Sequence, residues 1–431
     1  MGYAMSELTQ YVAAALFAIA VCHTFAAKLF EKLAHRYPAH HGVFHLLGEV
    51  EAVFGFWSII LFAWLIYAEG FSKAVEYADT RNYTEPLFVF AIMVIAASKP
   101  VMFTAKKLVE SVANALPINM GVARYFVLMT FVPLLGSFIT EPAAMTLGAL
   151  MLLQYFQQRG SNAFKYGTIG VLFVNVSIGG TLTHFAAPPV LMVAATWNWD
   201  TVYMFTHFGW KAAIAVLING AVLTTLFRQY LTEAGEQIIK ERAMVQAERV
   251  AVPSTLIAVH LLMIAGIVLF AHHAPVFLGI FLLFMGIATA YPQYQDRLIL
   301  REGLMVGFFL AGLVVLGGLQ SWWLQPLLSQ MSPTSVYYGA TALTAVTDNA
   351  ALTYLGSLVQ GLSEEFKYSL VAGAVTGGGL TIIANAPNPA GASILRGRFE
   401  DNNINPGALF LGALLPTVIT ILCFQLLPMS L

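Results

Sequence analysis

A chain of 431 residues that is 58% hydrophobic and only 10% charged, with a mean hydropathy of +0.75, lies far from the ~25% charged residues of soluble domains and reads as an all-α polytopic membrane protein. Its formal net charge of −1 argues against a nucleic-acid partner. Cys22 and Cys423 fall in apolar stretches at opposite ends, which gives neither a metal-binding spacing nor a disulfide framework.

Spans are predicted at 8–27, 46–69 and 86–104, each near the ~20 residues that cross a bilayer. The first run has no basic flank or small-residue cleavage site and is expected to be a retained helix. Lys28, Lys32 and Arg36 follow the first span, whereas Glu76, Asp79 and Glu85 follow the second. Positive-inside weighting then places 28–41 and 105–117 in the cytoplasm and the N-terminus outside. Two apolar segments come next, 118–137 and 144–158, around GSFITEPAA. The polar break predicts a re-entrant hairpin over 118–158, with Pro142 opening its second arm; two full spans with a proline kink are the plainer alternative.

Residues 163–196 are too long for one straight span and contain GGTLTHFAAPP (179–189), which reads as a broken helix. Trp197, Trp199 and Asp200 mark the outer interface, and a span at 207–228 returns the chain to the cytoplasm, where Arg159 and Lys165 also belong. A charged, solvated linker helix is expected at 231–250, with Glu236 and Lys240 paired at i,i+4.

The second half repeats the plan. Spans at 254–271, 275–291 and 302–320 precede a hairpin at 334–361, a broken helix at 368–395 containing GGGLTIIANAPNP (377–389), and a last span at 407–428. Thr140, Glu141, Ala143, Ala144 and Thr146 align without a gap on Thr347, Asp348, Ala350, Ala351 and Thr353. Gly180, Leu182, Thr183, Ala186 and Pro189 likewise match Gly378, Leu380, Thr381, Ala384 and Pro387. Each half thus holds five crossings plus a hairpin. Five is odd, so residues 1–230 and 251–431 are expected to be inverted repeats, with broken helices at the midplane and both termini outside.

A carboxylate at membrane depth costs ~2.5–3.5 kcal/mol on insertion scales, which makes Glu141 and Asp348 functional candidates. Hard cations take oxygen ligands, and unwound carbonyls at broken helices add to them. The candidate set for binding cations and protons is Glu141, Asp348, Asn349, Thr140, Thr347, Thr183, Thr381, Asn385 and Asn388, with sodium the expected metal at Glu141 and Asp348. Burial raises a carboxylate pKa and a bound cation lowers it, so a proton and a metal ion would compete for the same oxygens. Asp is also a good N-cap, so Asp348 can equally start the second hairpin arm. A neutral cap would avoid the membrane penalty, and Glu141 is a poor cap.

His184, inside the first break, is a candidate for tuning by pH, or a hydrogen-bonded packing histidine. Glu49 and Glu51, on different sides of their helix, are candidates for a proton path or for plain interfacial solvation. His41, His45 and Glu49 share one face at i, i+4 and i+8, which suggests a metal stripe or ordinary interfacial polarity. Arg124, Lys99 and Lys211 near span ends read as snorkelling side chains. Neither acid has a Gly-x-Gly-Asp setting and HExxH is absent, so neither an enzyme nor a cofactor is expected.

With TDNAA at 347–351 and the two glycine-rich breaks, the chain resembles the ion-transporter superfamily, which includes sodium/proton antiporters, arsenite exporters and dicarboxylate carriers, and in particular a family of bacterial sodium/proton antiporters. The resemblance covers nearly the whole chain. It implies a scaffold from the first three helices of each half, a transport domain of hairpins and broken helices moving elevator-fashion, a homodimer in the lipid bilayer, and the bacterial inner membrane. The paired Ser-Asn-Thr motifs of the dicarboxylate carriers are absent, and Glu141-Pro142 stands where an Asp-Asn pair would match the second hairpin. Exchange of a monovalent cation, sodium first, for protons is the leading expectation; sodium-coupled transport of a small anion such as a carboxylate is the alternative.

Overall fold

The computed structural model describes residues 5–156, 160–245 and 251–431, which are helical with no strand. Arg159 and 246–250 lie outside the described residues, as do the side chains of Lys28 and Lys240. Six described helices are long and apolar enough to cross a membrane, or seven if one bent pair is a single span.

The first half opens with α1 (Glu7–Phe25) and α2 (Val50–Glu69). The third span, expected to be straight, is two helices, α3 (Thr84–Ala96) and α4 (Lys99–Ala115), bent by 67°. Pro100 in the first turn of α4 is the cause, since its ring supplies no N–H to continue the α3 ladder. Next come α5 (Met120–Ile139) and α6 (Glu141–Phe156), then the broken helix α7 (Asn162–Gly179) and α8 (Pro188–Trp197). The half closes with α9 (Trp210–Leu226). With 20 residues, α5 is itself long enough to cross a bilayer, so the first hairpin does not have the two short arms of a simple re-entrant loop. Pro133 inside α5 leaves the Met129 carbonyl without its helical donor, and the buried Asn175 amide of α7 supplies one at 2.8 Å.

The linker is α10 (Arg228–Val245). It is not solvated all round: Leu231, Ala234 and Ile238 are buried on one face. There α10 packs on α5 so closely that a Cβ on Gly235 would lie 2.2 Å from the Gly121 Cα.

The second half comprises α11 (Ser254–Leu269), α12 (Ala274–Ala290), α13 (Leu300–Gly317), α14 (Pro333–Thr344), α15 (Asn349–Ser357), α16 (Glu364–Gly377), α17 (Asn388–Leu395) and α18 (Pro406–Leu426). Here the hairpin arms are short, with 12 residues in α14 and 9 in α15. At 1.5 Å per residue neither spans ~30 Å of hydrocarbon. The broken helices start alike: Ser161 Oγ caps α7 and Ser363 Oγ caps α16, each accepting an amide at 3.2 Å.

Packing partners recur between the halves. The α1–α2, α2–α13 and α1–α13 contacts have counterparts in α11–α12, α12–α3 and α11–α3. In the other cluster, α5–α7 matches α14–α16. The second hairpin arm of each half packs on the far part of the other half's broken helix, α6 on α17 and α15 on α8.

Candidate functional site

The crossed packing of α6 on α17 and α15 on α8 carries both hairpin tips to the two helix breaks. Glu141, fully buried at the start of α6, accepts a hydrogen bond on Oε2 from Asn385 Nδ2 of the second break at 2.9 Å. Asp348 is the N-cap of α15; its Oδ1 accepts the Ala350 and Ala351 amides at 2.8 and 3.3 Å. The capping reading of Asp348 is therefore borne out. One oxygen satisfies the helix end, which does not account for placing a full charge there.

The tips correspond with a shift of one residue from the gapless alignment. Both α6 and α15 begin one residue after a cap position, occupied by Thr140 and Asp348, which puts Glu141 opposite Asn349. Neighbouring contacts keep this register. Thr183 Oγ1 donates to the Ser137 carbonyl at 2.7 Å and Thr381 Oγ1 to the Ala345 carbonyl at 2.9 Å, each three residues before the cap position. A Cβ on Gly180 would lie 2.4 Å from Glu141 Oε1, and one on Gly378 would lie 2.8 Å from Asn349 Nδ2. The two matched glycines thus make room for the two matched polar side chains.

Thr140 has φ 73° and ψ 152°. That region is essentially confined to glycine and costs of order 1–3 kcal/mol for other residues. A β-branched residue is held there beside the buried Glu141 carboxylate.

Buried polar atoms almost always find partners, so the exceptions need a reason. Among the described residues such atoms occur at several places, Ser98, Asn219 and Gln295 among them, and one group of them, Thr140 Oγ1, Glu141 Oε1, Asn349 Oδ1 and Nδ2, Asn385 Oδ1 and Asn388 Oδ1, lies at the tips and the second break. Asn388 Nδ2 meanwhile donates to the Gly378 and Thr381 carbonyls at 2.8 and 2.9 Å, bracing that break. Ser177, which sequence reasoning passed over, ties the breaks together by donating to the Val375 carbonyl at 2.7 Å. Ser137 does the same for the first tip, donating to the Gly179 carbonyl at 2.7 Å. Thr347 is half-buried just before Asp348.

A cavity of about 10 Å³ adjoins Asp348, close to the smallest that admits one water-sized particle. Val50 and Glu51 of α2 and Phe309 of α13 wall one side; Asp348, Asn385 and Pro389 wall the other. Glu49 points elsewhere, as expected from its opposite facing, and bonds Arg301. The helix carrying His41 and His45 ends at Leu47, so Glu49 does not continue its face. His45 Nδ1 reaches Glu49 Oε1 at 3.2 Å, but no cluster able to hold a metal forms among the described residues. His184 bonds Thr201 Oγ1 at 2.8 Å and opens onto a separate cavity of about 380 Å³ with His272 and Asp200.

Lys211 does not snorkel. It is wholly buried, donating to Tyr368 Oη at 2.6 Å with its ammonium 4.5 Å from that ring's centroid. Its helix begins inside an interface expected to be exposed, and the packing of α9 on α7 and α18 covers it. Lys99 fits the expectation better: it is partly exposed and pairs with Asp296 at 3.5 Å.

Residues 8–427 match the model of a family described as "Putative Na+/H+ antiporter". No curated protein matches the chain.

Proposed function

We propose that this chain, which belongs to the Na+/H+ antiporter family, exchanges sodium for protons at a site built from its two hairpin tips and two helix breaks. The observation that carries the reading is the set of buried, unpartnered oxygens on Thr140, Glu141, Asn349, Asn385 and Asn388, grouped with two carboxylates. Oxygen donors of this kind suit a hard monovalent cation. A bound sodium ion offsets one negative charge of the Glu141 and Asp348 pair; when it leaves, a proton can take its place, because an isolated carboxylate in a dry environment neutralises rather than stay charged. Shared occupancy couples the two fluxes. The anion alternative gains no support: Lys211, the fully buried cation, bonds Tyr368 and does not line the Asp348 cavity.

The recurrent packing supports an inverted-repeat reading with 1–230 and 251–431 as the repeats, 231–250 as linker, and 118–158 and 334–361 as the hairpins. On that reading α1–α3 and α11–α13 form the scaffold, and the hairpins and broken helices (163–196 and 368–395) move as the transport domain in a homodimer. The bacterial inner membrane, with both termini outside, fits the same plan. His184, in the wall of the cavity with His272 and Asp200, is the candidate for tuning by pH.

The test is purified protein in liposomes loaded with a pH dye. Sodium addition should release protons, and the apparent sodium affinity should improve as pH rises, by up to about tenfold per unit where one proton competes. Proton movement indifferent to sodium, lithium, potassium and calcium, but driven by carboxylates, would replace this reading with the anion alternative.

A further inference from the structure

Glu51 sits in the first turn of α2, half-buried, in the wall of the cavity facing Asp348. The same cavity receives Asn385, which is 1% exposed with an unpartnered Oδ1. The charges beside Glu51 are arranged unequally. Arg301 of α13 bonds Glu49, as does the half-exposed His45, so the cationic side chains beside α2 bond Glu49, and the Glu51 carboxyl is the one turned to the cavity. On the far wall the only carboxylate lining it is Asp348.

We infer that Glu51 is a capture residue for the transported cation. It draws the ion by charge from the surface carrying His45 and Arg301 and passes it to Asp348. This rests on the cation reading above. The two acids belong to different packing clusters: Glu51 to α2, and Asp348 to the tip of the second hairpin. A capture role therefore operates on the membrane face where this cavity lies, and in the arrangement that brings the two together. Attraction of this kind acts on encounter and raises apparent affinity, with little effect on turnover once the ion is bound.

The experiment measures sodium-driven proton movement in vesicles of both orientations, at about 0.01 M and about 0.5 M ionic strength, where screening lengths differ several-fold. Glu51→Gln should raise the sodium KM roughly tenfold at low ionic strength from one face, leave kcat within about twofold, and lose most of the difference at high ionic strength. Glu51→Asp should restore the wild-type value. Arg301→Gln releases Glu49 to add negative charge, so it should lower KM severalfold, a direction that misfolding does not produce. An unchanged KM in Glu51→Gln, or a fall in kcat at constant KM, would overturn the capture role while leaving antiport in place. Wild-type vesicles with no sodium-driven proton movement would overturn the antiport reading itself, and the capture role with it.

Discussion

The Glu141 carboxylate, from the first hairpin tip, accepts the side-chain amide of Asn385, from the second helix break, across 2.9 Å and 244 positions of sequence. This bond spans the two halves at the point where their buried acceptors gather. It leaves one oxygen on each partner without a mate, Glu141 Oε1 and Asn385 Oδ1. On the proposed cation reading, these two open oxygens are the ones that would ligate.

Asn385→Ala removes the amide and leaves the Glu141 carboxyl buried alone. A stranded buried polar group costs about 1–3 kcal/mol. The variant should unfold at lower temperature in detergent and lose exchange at least tenfold. Glu141→Gln keeps the shape and a bonding partner for Asn385, and it should retain the wild-type melting temperature while losing coupled proton release. Normal exchange by Glu141→Gln would remove this acid from the site.

Gly180→Ala places a methyl group 2.4 Å from Glu141 Oε1 and 2.6 Å from its Cγ, so the whole side chain must move, whereas none of the three nearest atoms is backbone. Exchange should fall, with a smaller loss of stability than a backbone clash would cause. Gly379→Ala is the contrasting control. Its Cβ would meet the Val174 backbone nitrogen at 2.3 Å, which nothing flexible can relieve. That variant should be poorly folded. Equal thermal stability of the two would show that the break tolerates backbone crowding and that Gly180 has no special relation to Glu141.

Thr140→Gly relieves the φ 73° conformation. Strain of about 1–3 kcal/mol, less roughly 0.5–1 kcal/mol for the extra freedom of glycine in the unfolded chain, predicts a net gain near 1 kcal/mol. The gain should come with weaker sodium affinity, because Oγ1 and the rigidity of the tip are lost together. Thr140→Ala keeps the strain and loses only the hydroxyl, so it should weaken affinity without stabilising. Calorimetry of both variants beside sodium titration separates strain from ligation.

Much of this arrangement was legible in the chain. Hydropathy located the helices, and the repeated segments that cluster glycine, threonine and proline located both breaks. Glu141, Asp348, Asn385 and Asn388 stood out as polar groups at membrane depth, and all lie at the tips or the second break. What the sequence concealed was register and tertiary cover. A gapless alignment pairs Glu141 with Asp348, whereas helix geometry pairs Glu141 with Asn349, because the cap residue differs between tips. The burial of Lys211 depends on helices distant in the chain, and a lysine near the end of an apolar run looks the same whether covered or exposed. Ser137 and Ser177 carry no signal of their own: a lone serine in an apolar helix is common, and only the carbonyl opposite reveals what it holds. The 67° bend at Pro100 lies inside the stretch 86–104 that hydropathy reads as a single span.

Asp348 is both a helix cap and a charge, and the two roles can be separated. Asn caps about as well as Asp and has nearly the same size, so Asp348→Asn should keep the amide bonds to Ala350 and Ala351 and leave the hairpin folded. The substitution removes the negative charge and the exchangeable proton. A variant that purifies and melts like wild type yet loses most sodium-driven proton release would assign Asp348 to ion binding. Asp348→Ala removes the cap as well and should melt lower by a further ~0.5–2 kcal/mol. The pH response adds a sign. On the proposed reading protons and sodium compete at wild-type Asp348, so lowering the pH should raise the sodium concentration needed for half-maximal exchange. Residual exchange in Asp348→Asn, carried by Glu141, should show a shallower dependence, since one competing proton has gone. Exchange by Asp348→Asn with wild-type rate and wild-type pH dependence would reduce Asp348 to a cap and leave Glu141 as the site's acid.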